Sequence, residues 1–186
     1  MNNKFQLFIN DKKLFGSYFA GLWEGGGHII IPKINKEGKC VNTPGLFITF
    51  KNVNYPLVER IVSHLGGWIR EKKKEGALVL SITKREELNN CMLLMNGYLR
   101  SPKIFEFRKL LSYVNKSHTV KDVDSLPLDG NAWLSGFIDT DGGGLKLEHL
   151  QGKKGGWNCV LLWSNHNITE KQITPFIPSF FPSLSI

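Results

Sequence analysis

The sequence predicts an α+β protein in which pairs of strands alternate with helices. Two patterns point to this class. Helical and strand-like hydrophobic patterns alternate in the order αββαββαα between residues 14 and 114, and one helical segment of this region returns after residue 130. The composition, 41% hydrophobic and 22% charged, agrees with a globular protein that has its own core.

Each element follows from a local pattern. Apolar residues at helical spacing, ended by glycine or begun near proline, predict helices over 14–24, 56–65, 85–99 and 102–114. Runs rich in β-branched and aromatic residues, bounded by polar or glycine-containing turns, predict strands over 28–34, 46–53, 68–72 and 77–83.

An internal repeat predicts a second copy of the same unit. The segment 17–27 aligns without gaps on 132–142, with Gly21 opposite Gly136. A repeat of such a long period indicates two copies of a domain. We therefore predict three parts. They are a first domain over 1–116, a linker over 117–131 and a partial second domain over 132–186.

The second copy is predicted to contain fewer elements than the first. A helix from Trp133 and two strands, over 144–149 and 158–164, account for its patterns. The tail 175–182 is apolar but broken by proline, so it cannot supply the other strands and helices.

The charge favours a polyanionic partner bound by the first part of the chain. The formal net charge is +8. Residues 1–116 contain 19 basic and 9 acidic residues, whereas 117–186 contain 5 and 7. Nucleic acid is the first candidate, and a basic surface that serves only solubility is the alternative. No run of apolar residues is long enough for a membrane span, so no membrane partner is expected.

The repeated helices suggest a close contact and a metal site. Glycine inside a helix costs about 1 kcal/mol relative to alanine, and Gly21 and Gly136 hold the same register, which predicts a shared helix–helix contact. Asp139 and Asp141 fall near a helix C-terminus, where negative charge is unfavourable unless a cation binds. Two parallel helices of this kind would form an oxygen-lined metal site. Buried helices with merely charged ends remain the alternative.

Two segments carry a family resemblance. Phe19-Ala-Gly-Leu-Trp-Glu-Gly-Gly-Gly27 and Leu134-Ser-Gly-Phe-Ile-Asp-Thr-Asp-Gly142 both resemble the signature of the LAGLIDADG homing endonucleases. The order αββαββα and the run Met95-Asn-Gly-Tyr-Leu-Arg-Ser-Pro-Lys-Ile104 before the last helix also resemble organellar members of that family. The resemblance implies the fold of that family, with a mixed or antiparallel curved sheet in each of two domains related by a pseudo-two-fold axis, the second copy here being incomplete. It also implies cleavage of both DNA strands at the junction of the motif helices with a divalent metal, usually Mg²⁺.

Residues of the family site carry over position by position. The metal-binding acid corresponds to Asp141 in the second copy and to Gly26, which has no carboxylate, in the first. Glu24 and Asp139 occupy the other acidic position. The candidate catalytic residues are Asp141, Glu24 and Asp139, and the candidate metal ligands are Asp141 and Glu24. If each strand needs one acid, cleavage is reduced to slow nicking of one strand.

The nucleic-acid contacts are expected on the predicted sheet. Basic residues on or beside the strands are the candidates, with solvated strand edges as the alternative; they are Lys33, Lys36, Lys51, Arg70, Lys72, Lys73 and Lys84. We assign four tryptophans to the core, with stacking on bases as the alternative: Trp23, Trp68, Trp133 and Trp163. His28 is interpreted as an ordinary residue at the start of a strand, with an approach to the scissile phosphate as the alternative.

The function implied is that of a site-specific, intron-encoded DNA endonuclease, weakened to nicking or to DNA binding alone. An intron RNA maturase and an inactive degenerate fragment remain the alternatives. The partner is double-stranded DNA or intron RNA. The expected assembly is a monomer with a pseudo-two-fold axis, or a dimer if another chain completes the second domain. The expected location is the matrix of the mitochondrion or of another organelle.

Overall fold

The computed structural model describes residues 3–33, 35–141, 145–151 and 157–163, and it describes side chains within 7–33 and 35–140. The predicted strand ends at Gly144 and Ser164, the side chain of Trp163 and the tail 175–182 lie outside the described residues. The helices are α1 (Asn3–Asn10), α2 (Lys12–Gly26), α3 (Tyr55–Leu65), α4 (Arg85–Met95), α5 (Ile104–Val114) and α6 (Trp133–Asp141). The strands are β1 (Gly27–Ile30), β2 (Gly45–Lys51), β3 (Trp68–Lys72), β4 (Ala77–Ile82), β5 (Leu145–Gln151) and β6 (Trp157–Trp163).

The first four strands form one antiparallel sheet in the order β1-β2-β4-β3. One face of the sheet packs on helices, because alternate residues such as Leu46, Ile48 and Phe50 are buried there with Leu78 and Leu80. The opposite face, which we call the open face, carries the residues between them. Strands β5 and β6 form a separate antiparallel pair.

The first motif helix lies at the centre of the core. Ten consecutive residues of α2, from Phe15 to Glu24, are buried. The helix begins after Asp11, whose carboxylate accepts hydrogen bonds from the backbone N–H groups of Lys13 and Leu14. Burial on all sides explains why α2 lacks a wide polar face.

Two helices differ from the predicted bounds for identifiable reasons. Helix α2 continues to Gly26 instead of ending at Glu24, because its glycines pack closely on α6. Helix α4 ends at Met95 rather than at residue 99, because Gly97 adopts φ +100°, which only glycine reaches easily. The residues after that turn run back towards α2. The sequence also did not predict α1.

The segment predicted as a linker is attached to the first sheet-and-helix unit. It has no helix or strand over 115–131, but the Asp124 carboxylate forms an ion pair of 2.6 Å with Arg100, and the Asn96 amide binds the backbone of Thr119 and Lys121. These contacts fix the point from which α6 starts. In the described part of the chain, no helix combines the length and the apolar character that a membrane crossing requires.

Candidate functional site

Two glycines bring α2 and α6 into backbone contact. A Cβ atom added to Gly21 would lie 2.0 Å from the carbonyl oxygen of Trp133, and one added to Gly136 would lie 2.0 Å from that of Tyr18. Both distances are far below van der Waals contact, so neither position accepts a side chain without separating the helices. The two glycines therefore meet at one parallel helix–helix contact.

Aligned positions of the two motif helices also form reciprocal hydrogen bonds. The Tyr18 hydroxyl donates to Asp139 Oδ2 at 2.6 Å, and the Trp133 indole N–H donates to Glu24 Oε2 at 2.6 Å. Tyr18 aligns with Trp133, and Glu24 aligns with Asp139. Burial, reinforced by the bond to Asp139, raises the pKa of Tyr18, so its hydroxyl keeps its proton and remains a donor. The helix pair thus has an approximate two-fold relation at the level of single bonds.

Glu24 occupies a closed, fully bonded position. Its side chain is 2% exposed. Besides the indole of Trp133, the backbone N–H of Arg100 donates to Oε2 at 2.9 Å, and the backbone N–H and hydroxyl of Ser101 donate to Oε1 at 2.7 and 2.5 Å. Both carboxylate oxygens therefore accept hydrogen bonds inside the protein. This geometry does not support Glu24 as a metal ligand; it makes Glu24 the anchor of the segment 100–101.

Asp139 is the aligned acid, and its environment is different. The residue is exposed, and Tyr18 is the side chain that donates to its carboxylate among the described residues. The Asn54 amide donates to its backbone carbonyl at 3.2 Å, which joins the turn after β2 to α6. Asp141 is the last residue of α6, and its carboxylate lies outside the described side chains. Asp139 is therefore accessible near the end of α6.

The end of α2 has no carboxylate and no room for one. A Cβ at Gly26 would lie 2.8 Å from the carbonyl oxygen of Thr49 and 2.8 Å from Thr140 Cβ. One at Gly25 would lie 2.4 Å from Thr140 Oγ1. The glycines at the end of α2 allow the helix, β2 and α6 to converge there, so the missing acid is part of the packing.

A lysine neutralises the end of α2 instead. The ammonium of Lys103 donates to the carbonyl oxygens of Glu24 at 2.7 Å and Gly27 at 2.8 Å, and it lies 5.7 Å from the ring centroid of Trp23. A cation at the C-terminus of a helix offsets the partial negative charge of the last carbonyls. The two motif helices therefore end differently, α2 with a bound ammonium and α6 with acids.

The two helix ends differ in their fit to a divalent cation. Such a cation requires oxygen ligands. The end of α2 offers Gly26, a buried Glu24 and an ammonium, so it does not fit. The end of α6 offers the exposed Asp139 and the backbone end at Asp141. Among the residues described with side chains, no three His, Cys, Asp or Glu groups cluster as a complete metal site.

The open face of the sheet has three transverse rows. Paired residues place Lys51, Ala77 and Lys72 in the first row, Thr49, Val79 and Arg70 in the second, and His28, Phe47, Ser81 and Trp68 in the third. The first two rows adjoin the ends of the motif helices, because Thr49 of the second row contacts Gly26 and the turn after Lys51 of the first row contacts α6. The first two rows are basic, whereas the third is aromatic.

The predicted basic residues do not all lie on this face. Lys51, Arg70 and Lys72 do, and Lys72 forms an ion pair of 2.9 Å with Glu75. Three others are exposed in the turns beyond the strands: Lys33, Lys36 and Lys73. Lys84 differs from the expectation. It stands at the start of α4, where it pairs with Glu87 at 3.0 Å, because β4 ends at Ile82.

One aromatic residue of the third row differs from the expectation. Trp68 was assigned to the core but is 49% exposed on the outer strand β3, whereas Trp23 and Trp133 are buried as expected. The ring of His28 is stacked on that of Phe47, with 5.0 Å between centroids and 13° between planes. Partial burial, followed by Lys103 and Lys72, lowers the pKa of His28, so the ring is neutral near pH 7.

Sequence reasoning missed Lys103, Ser101 and Tyr18. The first two lie in the run 95–104 that resembles the family, but their contact with α2 is made by the turn at Gly97 and is not visible in the sequence. Tyr18 had a usable signal, because its alignment with Trp133 places a hydrogen-bond donor at the same position of both motif helices.

Comparison with known proteins agrees with this architecture. The family model described as LAGLIDADG endonuclease matches residues 19–114. The chain is 28% identical over 158 residues to the intron-encoded DNA endonuclease aI3 of Saccharomyces cerevisiae, and the match covers 76% of this chain and 38% of that protein. The chain therefore spans well under half of the length of this relative.

Solved structures of the same kind are also similar. The homing endonuclease I-GzeII in complex with its DNA target has a TM-score of 0.51 at 12% identity, over 77% of this chain and 64% of that one. The meganuclease I-CpaMI bound to uncleaved DNA has a TM-score of 0.44 at 24% identity, over 55% and 38%. The likeness to I-GzeII concerns the fold alone. The family model matches about half of the chain and includes most of the first motif helix, and on that ground the protein belongs to the LAGLIDADG endonuclease family.

Proposed function

We propose that this protein is a DNA endonuclease that cuts one strand of its target much faster than the other. The observation that carries the proposal is the asymmetry of the two helix ends. Asp141 and Asp139 stand at the end of α6, whereas α2 ends at Gly26 under the ammonium of Lys103. We call the end of each motif helix a half-site. Only the half-site at α6 therefore offers carboxylates.

The half-site at α6 is proposed to hold Mg²⁺. Asp141 would be its carboxylate ligand, with Asp139 beside it and already oriented by Tyr18. When bound, a divalent cation polarises the phosphodiester and lowers the pKa of a bound water. The glycine contact sets the position of α6 relative to α2. At α2, Lys103 supplies positive charge near the phosphate but no carboxylate.

The partner proposed is double-stranded DNA, bound across the open face by Lys51, Arg70 and Lys72. We further propose the organisation 1–116, 117–131 and 132–186, with the two motif helices at the junction of the two units. A single chain then supplies both helices of the site. The mitochondrion or another organelle is the proposed location, because the curated relative is intron-encoded.

A plasmid assay tests the proposal. A supercoiled plasmid that carries a site selected by the wild-type protein is incubated with magnesium, and nicked and linear products are followed over time. We expect nicked circles to accumulate well before linear DNA. Asp141→Asn should abolish both products, and Asp122→Asn, at an exposed acid of the segment before α6, is the matched control.

Two outcomes would contradict the proposal. Linear DNA formed without a preceding nicked form would show that both half-sites cut equally. Undiminished cleavage by Asp141→Asn would show that the acid of α6 is not part of the site.

A further inference from the structure

The third row of the open face is chemically unlike the two rows beside it. His28, Phe47 and Trp68 stand in line across three strands, and the fourth strand contributes Ser81, which is 1% exposed. The row therefore presents aromatic rings where the neighbouring rows present cations. Trp68 is nearly half exposed.

Two neighbouring rings of this row contact each other. His28 and Phe47 are stacked, so each has one face covered by the other ring. The ring of Phe47 also lies close to Gly45, where an added Cβ would be 2.9 Å from its ring atoms. The covered faces are not available for stacking on a base, whereas the ring edges of Phe47 are apolar.

The distance of the row from the proposed phosphate contacts indicates which part of the DNA it would contact. Lys51 and Phe47 are four residues apart on β2, which corresponds to about 13 Å along a strand. Base pairs rise about 3.4 Å each. On a duplex that runs along β2, the aromatic row would therefore lie roughly four base pairs from the row of Lys51 and Lys72. The major groove is roughly 12 Å wide and admits two paired strands, so neighbouring strands about 4.8 Å apart can bring adjacent side chains of the row to the base edges.

An apolar ring edge in a major groove has one apolar group of the base pairs to contact. The 5-methyl group of thymine is the apolar group that base pairs present there. Covering polar base edges with a phenyl ring instead would desolvate donors and acceptors without replacing their hydrogen bonds. We propose that the aromatic row of His28, Phe47 and Trp68 selects thymine by contact with its 5-methyl group, an inference that rests on the DNA binding proposed above.

Replacement of thymine by deoxyuracil tests the inference, because deoxyuracil lacks only this methyl group. Wild-type protein first enriches duplexes from a random library, with calcium present to hold back cleavage. In the enriched duplex, each thymine is then replaced singly by deoxyuracil. We expect replacement opposite the row to weaken binding about fourfold per methyl group, the effect of burying about one methylene.

Variants assign the effect to the row. Trp68→Gln and Phe47→Ala should bind thymine and deoxyuracil duplexes equally, while Leu7→Ala, at an exposed apolar residue of α1, should discriminate as the wild type does. Trp68 lies on the surface, so Trp68→Gln preserves the test if Phe47→Ala fails to fold.

The outcomes separate the inference from the proposed function. Salt-dependent duplex binding with no thymine preference, or with no effect of deoxyuracil at any position, overturns the inference and leaves the endonuclease proposal intact. Equal binding of the single strand, weakened equally by Trp68→Gln, also overturns it, because the row would then stack on unpaired bases. Failure to bind any duplex overturns both.

Discussion

At the scale of single residues, one motif position has two different roles. Glu24 is buried under four hydrogen-bond donors, whereas its counterpart Asp139 is exposed and bonded to one phenol. Hydrogen bonds to a charged acceptor contribute more than neutral ones, and an unsatisfied buried donor is costly. The acid of the first motif, Glu24, therefore has a structural role.

Replacement of Glu24 by Gln should therefore destabilise the fold. The amide N–H₂ of glutamine cannot accept the bonds that one carboxylate oxygen accepts now, so at least one buried donor loses its partner. We expect a loss of about 3 kcal/mol in the free energy of unfolding, measured by urea denaturation. Glu86→Gln, at an exposed acid in the first turn of α4, is the control, and equal stabilities of the two variants would refute the role of Glu24.

His28 should make stability depend on pH. Its folded pKa is lowered by burial and then by Lys103 and Lys72, with Arg70 acting in the same direction and Glu106 against them. The unfolded chain therefore takes up a proton more readily than the folded protein as pH falls through about 6.5. Stability from this group is present above that pH and declines below it.

Thermal unfolding of His28→Phe tests this linkage. The variant keeps an aromatic ring beside Phe47 but cannot titrate, so its midpoint should fall less than that of the wild type between neutral pH and about pH 5.5. His118→Gln, at an exposed histidine, should behave as the wild type. An identical decline in His28→Phe would remove His28 as the cause.

At the scale of elements, the α2–α6 contact depends on the absence of side chains. Gly136→Ala places a Cβ about 2.0 Å from the Tyr18 carbonyl oxygen. Alanine favours a helix by about 1 kcal/mol over glycine, but the clash forces the helices apart. We expect a net loss of about 3 kcal/mol in unfolding free energy. Ser135→Ala, one residue earlier and exposed, should change it by less than about 0.5 kcal/mol; similar values for both would refute the contact.

The same crowding predicts that an acid cannot simply be restored at the end of α2. Gly26→Asp would add a side chain where Thr49 and Thr140 leave 2.8 Å, so the protein should lose stability and should not gain double-strand cleavage. Thermal unfolding and the plasmid assay, run together, measure both effects. A stable variant with faster linearisation would contradict this view of α2.

The sequence carries the elements well, because their signals are local. Strand β3 has the predicted bounds, and the predicted bounds of helix α3 and strand β4 agree with the observed ones to within one residue. Helix ends set by tertiary packing could not be predicted. The close approach of α6 extends α2 to Gly26, and Gly97 shortens α4 so that Ser101 can reach Glu24.

The candidate site was predictable only in part for a related reason. The alignment of the two motifs placed Gly21 opposite Gly136 and identified the missing acid at Gly26. Burial of Glu24 and the ammonium at the end of α2 depend on residues about eighty positions away. Trp68 is exposed because β3 is an edge strand of the sheet. The hydrophobic pattern of a strand alone does not reveal its place in the sheet.

At the scale of the whole molecule, the basic excess of residues 1–116 is divided between two kinds of site. Lys51, Arg70 and Lys72 lie on the open face. Lys84 and Arg100 instead form ion pairs with acids outside the sheet. Each phosphate contact releases condensed counterions, so the slope of log binding constant against log salt concentration counts such contacts, at about 0.9 per phosphate. The slope can therefore distinguish cations that bind DNA from cations that only raise the net charge.

Arg70 and Lys84 form the matched pair for this measurement. Both are exposed, but Arg70 lies in the middle row of the open face, whereas Lys84 pairs with Glu87 beyond the end of β4. Each change to Gln removes one charge, so a purely long-range effect of net charge would weaken binding equally. We expect Arg70→Gln to lower the salt slope by about one unit and Lys84→Gln to leave it unchanged. Equal slopes would place the DNA away from the open face, since contact with that face is the property that separates the two residues.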